Sequence, residues 1–555
     1  MTIKQKPLNS KFFDFSISGF SSKKTKKNSR YNKQNQKHDT KSKSRLNSNS
    51  NRNSNSNENT LSQSKLTFTN KYDKTNIANI LNSIYSMNNP INNSLIKYND
   101  KESKLLIKEA YNNFKISKPF ASEILNSYYD IITYMHTMKK IVKGSKGKEI
   151  PIPIPVKYAT EDFTRGLSKF ISMRFNDLPA DSISNAFTKL WEVLDTFDSI
   201  TKNNKNNKDN KEDKRKSFKV FHICEAPGQM VLASKYFAEK RYKNIDSKNY
   251  DWRANSLNPY NAENKAKFGG KPFGDTYNLI KNNPKKWLWG ADNTGDITKV
   301  KNIKWFRKYI NDEWLSGGEV SKNDKNDKYD KNDKLDFICG DGGLSTDLEP
   351  FLLQKLDLAQ AITVVACSSK GGSCCIKHFT PFIRKRKDTY NASGFFLGFL
   401  YLYYISFEQV SLFKPYSSNP DSGEFYVVGI NFLGVSEMEI EKLYKILDGF
   451  KYNHAIIEKD KMPETFITQI NNFIKLMSQL NNDTIEKTNL LLTCYDNMPR
   501  GKGGKGGKEG KGGKGGKSDS KLYELLQCNK FLDNNNIETI LVPRYNEWIK
   551  KYNFD

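Results

Sequence analysis

The chain is 555 residues long and carries 90 Lys and Arg against 61 Asp and Glu, a formal net charge of +29. Only 36% of its residues are hydrophobic and mean hydropathy is −0.74, so the whole length cannot pack into cores, and one large domain with polar appendages is expected. A surface this basic points to a polyanionic partner, most often nucleic acid.

The longest apolar run, residues 394–407, is too short to cross a bilayer, and no apolar signal core opens the chain, so a soluble protein is expected. The seven cysteines lack any CxxC or Cys/His spacing of a zinc site and mostly lie in apolar runs. No metal and a reducing intracellular compartment follow.

Residues 1–70, rich in Ser, Asn and Lys with 15 basic and three acidic residues, predict a disordered basic arm. Within it Lys23-Lys24-Thr25-Lys26-Lys27 reads equally as a nuclear address, an RNA-holding patch or a solvated tail. From 71 to 150, apolar residues such as Ile77, Ile80 and Leu81, then Ala110 and Phe114, then Ile124, Tyr128 and Ile131 recur at three- and four-residue steps, which predicts a small helical region. Alternating prolines at 150–155 make an extended link. Three low-complexity inserts, 202–216, 322–334 and 501–517, read as surface loops, because a flexible loop costs closure entropy that grows only slowly with length.

Between the inserts, strands are expected at 218–223, 335–339, 372–379, 410–414 and 424–432, with helices at 185–197, 230–239 and 348–365. This alternation predicts an α/β fold whose mostly parallel sheet is covered by helices on both faces, with ligands at the carboxyl ends of the strands. After 435 the pattern is mainly helical, with a final strand and helix at 537–552, giving a C-terminal extension over 436–555.

The turn Cys224-Glu225-Ala226-Pro227-Gly228 follows the first strand of this alternation, where small residues let a ligand approach the backbone and the next helix opens with free N–H groups. It is neither a dinucleotide fingerprint nor a phosphate loop. Two Asx-rich stretches, 254–260 with Asn258 and 290–297 with Asp292 and Asp296, could supply acceptors for ribose hydroxyls and an adenine amino group, or be plain turns. Asp341 ends a strand in Gly340-Asp341-Gly342-Gly343, Lys377 lies inside the apolar run Cys374-Cys375-Ile376-Lys377-His378-Phe379, and Glu424 opens a β-rich strand after Lys414-Pro415-Tyr416-Ser417-Ser418. A lysine in so apolar a strand calls for an anion partner.

Taken in order over about 165–435, these motifs resemble the FtsJ-like S-adenosylmethionine-dependent RNA ribose 2′-O-methyltransferases, most nearly the Adrift-type enzymes that methylate cap-proximal nucleotides of mRNA. The resemblance implies a Rossmann-like methyltransferase sheet with an antiparallel last strand over 151–435. It also implies S-adenosyl-L-methionine at Cys224 to Gly228, Asn258, Asp292, Asp296 and Asp341, and a Lys-Asp-Lys-Glu tetrad. Asp341, Lys377 and Glu424 map onto the tetrad directly. Lys189 is chosen for the first lysine because it stands about twenty residues before Cys224 once the 202–216 insert is removed, whereas Lys169 is too far upstream.

A ribose hydroxyl is a very weak acid, so its attack on a methyl sulfonium calls for a group that takes or relieves its proton. Lys377 fits as general base or hydroxyl activator, oriented and depressed by Lys189, with Asp341 and Glu424 fixing the geometry. The implied partners are RNA, capped mRNA first, and the transcription or capping machinery. The implied place is the nucleus or, for a virus, the host cytoplasm. Gly343 stands where the Adrift-type pattern has Ser, which leaves the target nucleotide open. The alternatives are an rRNA or tRNA ribose methyltransferase and a non-catalytic RNA-binding or transcription-accessory subunit on the same fold.

Overall fold

The computed structural model describes residues 79–80, 83, 94–97, 110–120, 166–175 except 169 and 173, 183–200, 217–241, 250–267, 274–316, 334–343, 350–380, 392–420, 422–496 and 534–554. The expected basic arm, the proline link and the inserts lie outside these residues, apart from Lys334 at the end of the second insert.

Among the described residues eight strands form one sheet: β1 (Ser94–Lys97), β2 (Phe218–Ile223), β3 (Tyr250–Asn255), β4 (Trp287–Leu288), β5 (Phe337–Gly340), β6 (Ser373–Phe379), β7 (Phe407–Phe413) and β8 (Glu424–Phe432), in the order β1-β7-β8-β6-β5-β2-β3-β4. Pairs β3 to β4, β2 to β3, β2 to β5 and β5 to β6 are parallel. Strand β8 lies between β6 and β7 and runs against both, so β7 again points the way of β6. The mostly parallel α/β sheet with a reversed last strand is borne out. β6 and β8 are buried almost throughout, as strands covered on both faces must be, and this explains why they read as apolar runs without clean alternation.

Among the described residues eight principal helices dress the sheet: α1 (Asn185–Thr196), α2 (Gln229–Arg241), α3 (Val300–Lys308), α4 (Pro350–Cys367), α5 (Ala392–Ser406), α6 (Glu437–Asp448), α7 (Glu464–Asp496) and α8 (Asn534–Lys551). Side chains alternate along β2. Phe221 and Ile223 join the core beneath α3 to α7, while His222 faces the other side and meets Ser234 of α2. α5 is apolar nearly all round because it is sandwiched between layers, with Tyr401 and Tyr404 packed on Phe466 of α7 at 5.1 and 4.8 Å. Among the described residues no helix is long and apolar enough to cross a membrane.

Three stretches differ from expectation, the first being 113–120, expected to be helical, where the chain instead leaves the helix and Ser117 bridges Ala455. Residues 94–97, inside the stretch expected to be helical, are strand β1 on the free edge of β7, since four residues are too few for periodicity to outweigh an available edge. Residues 537–552 are not a strand and a helix but lie in α8, with Tyr552 just past its end. Leu541, Tyr545, Trp548 and Ile549 form its buried stripe at helical spacing, continued by Tyr552, which overrides the β-like Ile540-Leu541-Val542 and tolerates Pro543 inside the helix.

The start of α1 is set by Ser184, whose hydroxyl accepts from the Ala186 N–H. Its apolar stripe, Phe187, Leu190, Trp191 and Leu194, turns to the protein and leaves Lys189 at the rim. Trp191 is fully buried between Phe237 of α2 and Phe554 beyond α8, at 4.9 and 4.5 Å between ring centres, and its indole N–H donates to the Tyr552 carbonyl at 2.8 Å. The C-terminal segment is thereby riveted to the helix that carries Lys189.

Candidate active site

The reversal of β8 decides the geometry. In a parallel sheet the carboxyl ends of β5 and β6 share one edge, and a strand running the opposite way brings its first residue, not its last, to that edge. Gly340 pairs with Ile376, Lys377 with Tyr426 and Phe379 with Glu424, so Asp341, Lys377 and Glu424 gather at one rim. Helix α1 adds Lys189. The Lys377 Nζ lies 2.9 Å from Asp341 Oδ1, and the Lys189 Nζ lies 2.6 Å from Glu424 Oε1. Lys377 is 8% exposed and Glu424 7% exposed, so each charge depends on the partner placed against it.

The Tyr426 hydroxyl donates to Asp341 Oδ1 at 3.0 Å, and Ser418 donates to Glu424 Oε1 at 2.7 Å. Beneath Glu424 the buried ammonium of Lys414 donates to Ser418 Oγ and to the carbonyls of Asn419, Ser422 and Glu424 at 2.8 to 2.9 Å. Burial pulls Lys377 down, but Asp341 and then Glu424 outweigh it and hold the amine above its ordinary value. Burial pushes Glu424 up, yet Lys189, Lys377 and Lys414 together hold its carboxyl down at about 2. Lys377 is therefore an ammonium and Glu424 a carboxylate at neutral pH, so the lowered amine expected of a general base is not what the protein alone provides.

Chain order leaves β2 for β3 and β4 on one side and returns to β5 and β6 on the other, so the crevice between the ends of β2 and β5 is a topological switch point. Cys224, at φ 55°, and Gly228, at φ 112°, shape the turn on the β2 side. Glu225 Oε1 accepts from the N–H groups of Met230 and Val231 at 2.6 and 3.3 Å, capping α2. Its other oxygen, Oε2, is buried without a partner. Burial, then the charge of Asp341, push this carboxyl well above the usual range. The Cys224 thiol is pushed up to about 12 by burial and feels Asp296, Lys377, Glu225 and Asp341, so the loops after β2, β4 and β5 and the strand β6 converge on it.

Asn258 and Asp292 are committed to loop structure. Asn258 donates to the Asn293 carbonyl and accepts from the Tyr260 N–H. Asp292 accepts from Thr294, Asn302 and Lys299; burial opposes its charge, but these bonds hold its carboxyl far below the ordinary range. Asp296 likewise accepts from Thr298, while remaining within electrostatic reach of Cys224. The two loops are zipped by Asn258 N–H to the Thr294 carbonyl at 2.8 Å, and Gly295, at φ 70°, allows it, because a Cβ there would lie 1.7 Å from the Ser256 carbonyl oxygen.

Tyr426, Ser418, Lys414 and Glu192 were not singled out from the sequence. Tyr426 could have been, since it stands two residues after Glu424 and so on the same face of a strand. The run Lys414 to Ser418 also sits next to Glu424 in the chain, whereas Glu192 carried no such signal.

Residues 182–432 match the model of the FtsJ-like methyltransferase family. The chain is 29% identical over 334 residues to an uncharacterized protein of Acanthamoeba polyphaga mimivirus, an alignment covering 58% of this chain and 35% of that protein. It is 23% identical over 329 residues to the cap-specific mRNA (nucleoside-2′-O-)-methyltransferase 2 of Danio rerio, covering 58% and 38%. A probable methyltransferase of African swine fever virus is 24% identical over 369 residues, covering 62% and 74%. The chain thus spans little more than a third of the length of the first two.

The depressed Glu424 carboxyl stabilises the fold above its unfolded value near 4.5, and that contribution is lost as pH falls toward the folded value of about 2. Urea unfolding followed from pH 6 to pH 3 is expected to show a contribution of roughly 2 to 3 kcal/mol shrinking over this window in the parent protein and missing from Glu424→Gln. Parallel pH dependences in the two proteins would contradict the buried ion pair.

Proposed function

Because residues 182–432 match the FtsJ-like methyltransferase family model, we propose that this chain transfers a methyl group from S-adenosyl-L-methionine to the ribose 2′-hydroxyl of a cap-proximal nucleotide of mRNA. The observation that carries the proposal is the meeting of two largely buried ion pairs, Lys377 with Asp341 and Lys189 with Glu424, at the rim beside the Cys224 to Gly228 turn. The net charge of +29 supports an RNA partner, and the names of relatives support the cap.

The donor set at the switch point suits this cofactor. The unpartnered Glu225 Oε2 would accept from the amino group of its methionine part, and Cys224 and Gly228 leave backbone room beside it. S-adenosyl-L-methionine supplies a methyl already activated on a sulfonium. The protein must then orient a ribose hydroxyl and relieve its proton.

Lys377 suits the second task as a cation. Its ammonium, held by Asp341 and kept charged by Asp341 and Glu424, donates to the ribose oxygen and stabilises the negative charge gathering there. As the oxygen takes the methyl, the pair of the broken methyl–sulfur bond would stay on the cofactor's sulfur, leaving a neutral thioether, and the hydroxyl proton would pass to water. Tyr426 fixes Asp341, while Lys189 and Ser418 fix Glu424.

Matched capped and uncapped short RNAs incubated with radiolabelled S-adenosyl-L-methionine test the substrate. Labelling of the capped RNA alone is expected, and equal labelling of both would overturn the cap assignment. In the same assay Lys377→Ala is expected to slow transfer by about 10²-fold or more while the protein still binds the cofactor. A loss under about twofold would remove Lys377 from the chemistry.

A further inference from the structure

Glu192 lies on α1 one turn beyond Lys189, points inward and is fully buried. Its Oε2 accepts from the Tyr416 N–H at 2.6 Å, and its Oε1 accepts from the Ser417 N–H and the Trp548 indole N–H, both at 2.8 Å. One carboxylate therefore joins three pieces of chain: the helix carrying Lys189, the turn whose next residue, Ser418, holds Glu424, and α8. Burial lifts its carboxyl above the ordinary range against these hydrogen bonds, so a carboxylate is a costly residue to keep there for packing alone.

α8 starts 102 residues beyond the end of the family match at 432, yet it is bound to α1 at several points. Besides Trp548, the Tyr552 carbonyl accepts from Trp191, and Arg241 of α2 pairs with Asp195 of α1 and donates to the carbonyls of Tyr552 and Asn553. Phe554 packs on Trp191, Phe187 and Tyr236.

We infer that Glu192 is a positioning residue that sets the spacing of Lys189 and Glu424, and that α8, through Trp548, completes the active site from outside the matched domain. The carboxylate touches neither substrate nor reacting atoms. It ties α1 to the 416–418 turn so that the Lys189 ammonium and the Ser418 hydroxyl reach the same Glu424 oxygen. The inference rests on the assignment of Lys189 and Glu424 to methyl transfer.

The test uses the full chain and the variants Glu192→Gln, Glu192→Asp and Trp548→Phe, with three readouts: thermal unfolding, kcat and KM for RNA and cofactor, and amide hydrogen exchange of the 410–424 peptide. Glu192→Gln turns an amide donor toward N–H donors. It is expected to lower kcat by about 10- to 100-fold, the scale of a misplacement near 1 Å, with KM for the cofactor changed less than about twofold. Glu192→Asp is expected to recover part of that loss, and Trp548→Phe, which keeps the ring and removes one donor, to lower kcat about 3- to 10-fold in a folded protein. Exchange at 416–418 is expected to quicken in both Glu192→Gln and Trp548→Phe.

A folded Glu192→Gln with kcat within twofold of the parent overturns the inference. Should Glu192→Gln fail to fold, Trp548→Phe decides, and an unchanged kcat overturns it. A parent protein that methylates no RNA removes the assignment to methyl transfer instead, and the clamp then stands or falls on whether exchange at 416–418 quickens.

Discussion

A lysine inside an otherwise apolar, buried strand keeps its charge only if an anion stands against it, and Lys377 is such a lysine. Much of the site's arrangement follows from that demand. Asp341 answers it from the end of the neighbouring strand, Tyr426 steadies Asp341 from the register partner of Lys377, and Glu424 adds a second negative charge from the start of β8. Glu424 is itself buried and needs cations in turn, which Lys189 and Lys414 supply. The result is an alternating set of charges at one sheet edge, in which removing any member leaves another uncompensated.

The sheet makes this arrangement possible by a single irregularity. Were β8 parallel to β6, its first residue would lie at the far edge and Glu424 could not approach Lys377. Insertion of the reversed strand between β6 and β7 brings a strand start beside two strand ends. The same switch of direction in chain order that opens a crevice between β2 and β5 places the Cys224 turn next to Asp341. The proposed cofactor crevice and the proposed place of methyl transfer thus share a border.

Most of the core was legible in the sequence because strands buried on both faces read as apolar runs ending in Gly, Pro and Asx turns. The bounds of β2 and β8 agree with expectation, and those of β5 and β6 differ by a residue or two. Lys377 stands out as a charge inside an apolar run, whereas Asp341, at a strand end among glycines, and Glu424, opening a strand after a polar turn, take their roles from the motifs of the resemblance. Lys189 is reached by counting across an insert, and the structure sets it 2.6 Å from Glu424. What the sequence hid was long-range. β1 depends on an edge created by residues over 300 positions later, α8 hides its stripe behind a β-like run, and Glu192 looks like an ordinary surface acid on a helix until Tyr416, Ser417 and Trp548 are brought around it. The Asx-rich loops carried residue types that suit ligand contacts and turns alike, and the hydrogen bonds of Asn258 and Asp292 go to turns.

The central claim is that an ammonium at Lys377, held by Asp341, activates a ribose oxygen rather than a base nitrogen. The most direct measurement is mass spectrometry of nucleosides released from RNA methylated by this protein with isotope-labelled S-adenosyl-L-methionine. The label is expected in a 2′-O-methylated nucleoside, its methyl retained on the sugar when the glycosidic bond is fragmented. A label that stays with the base fragment would contradict the account.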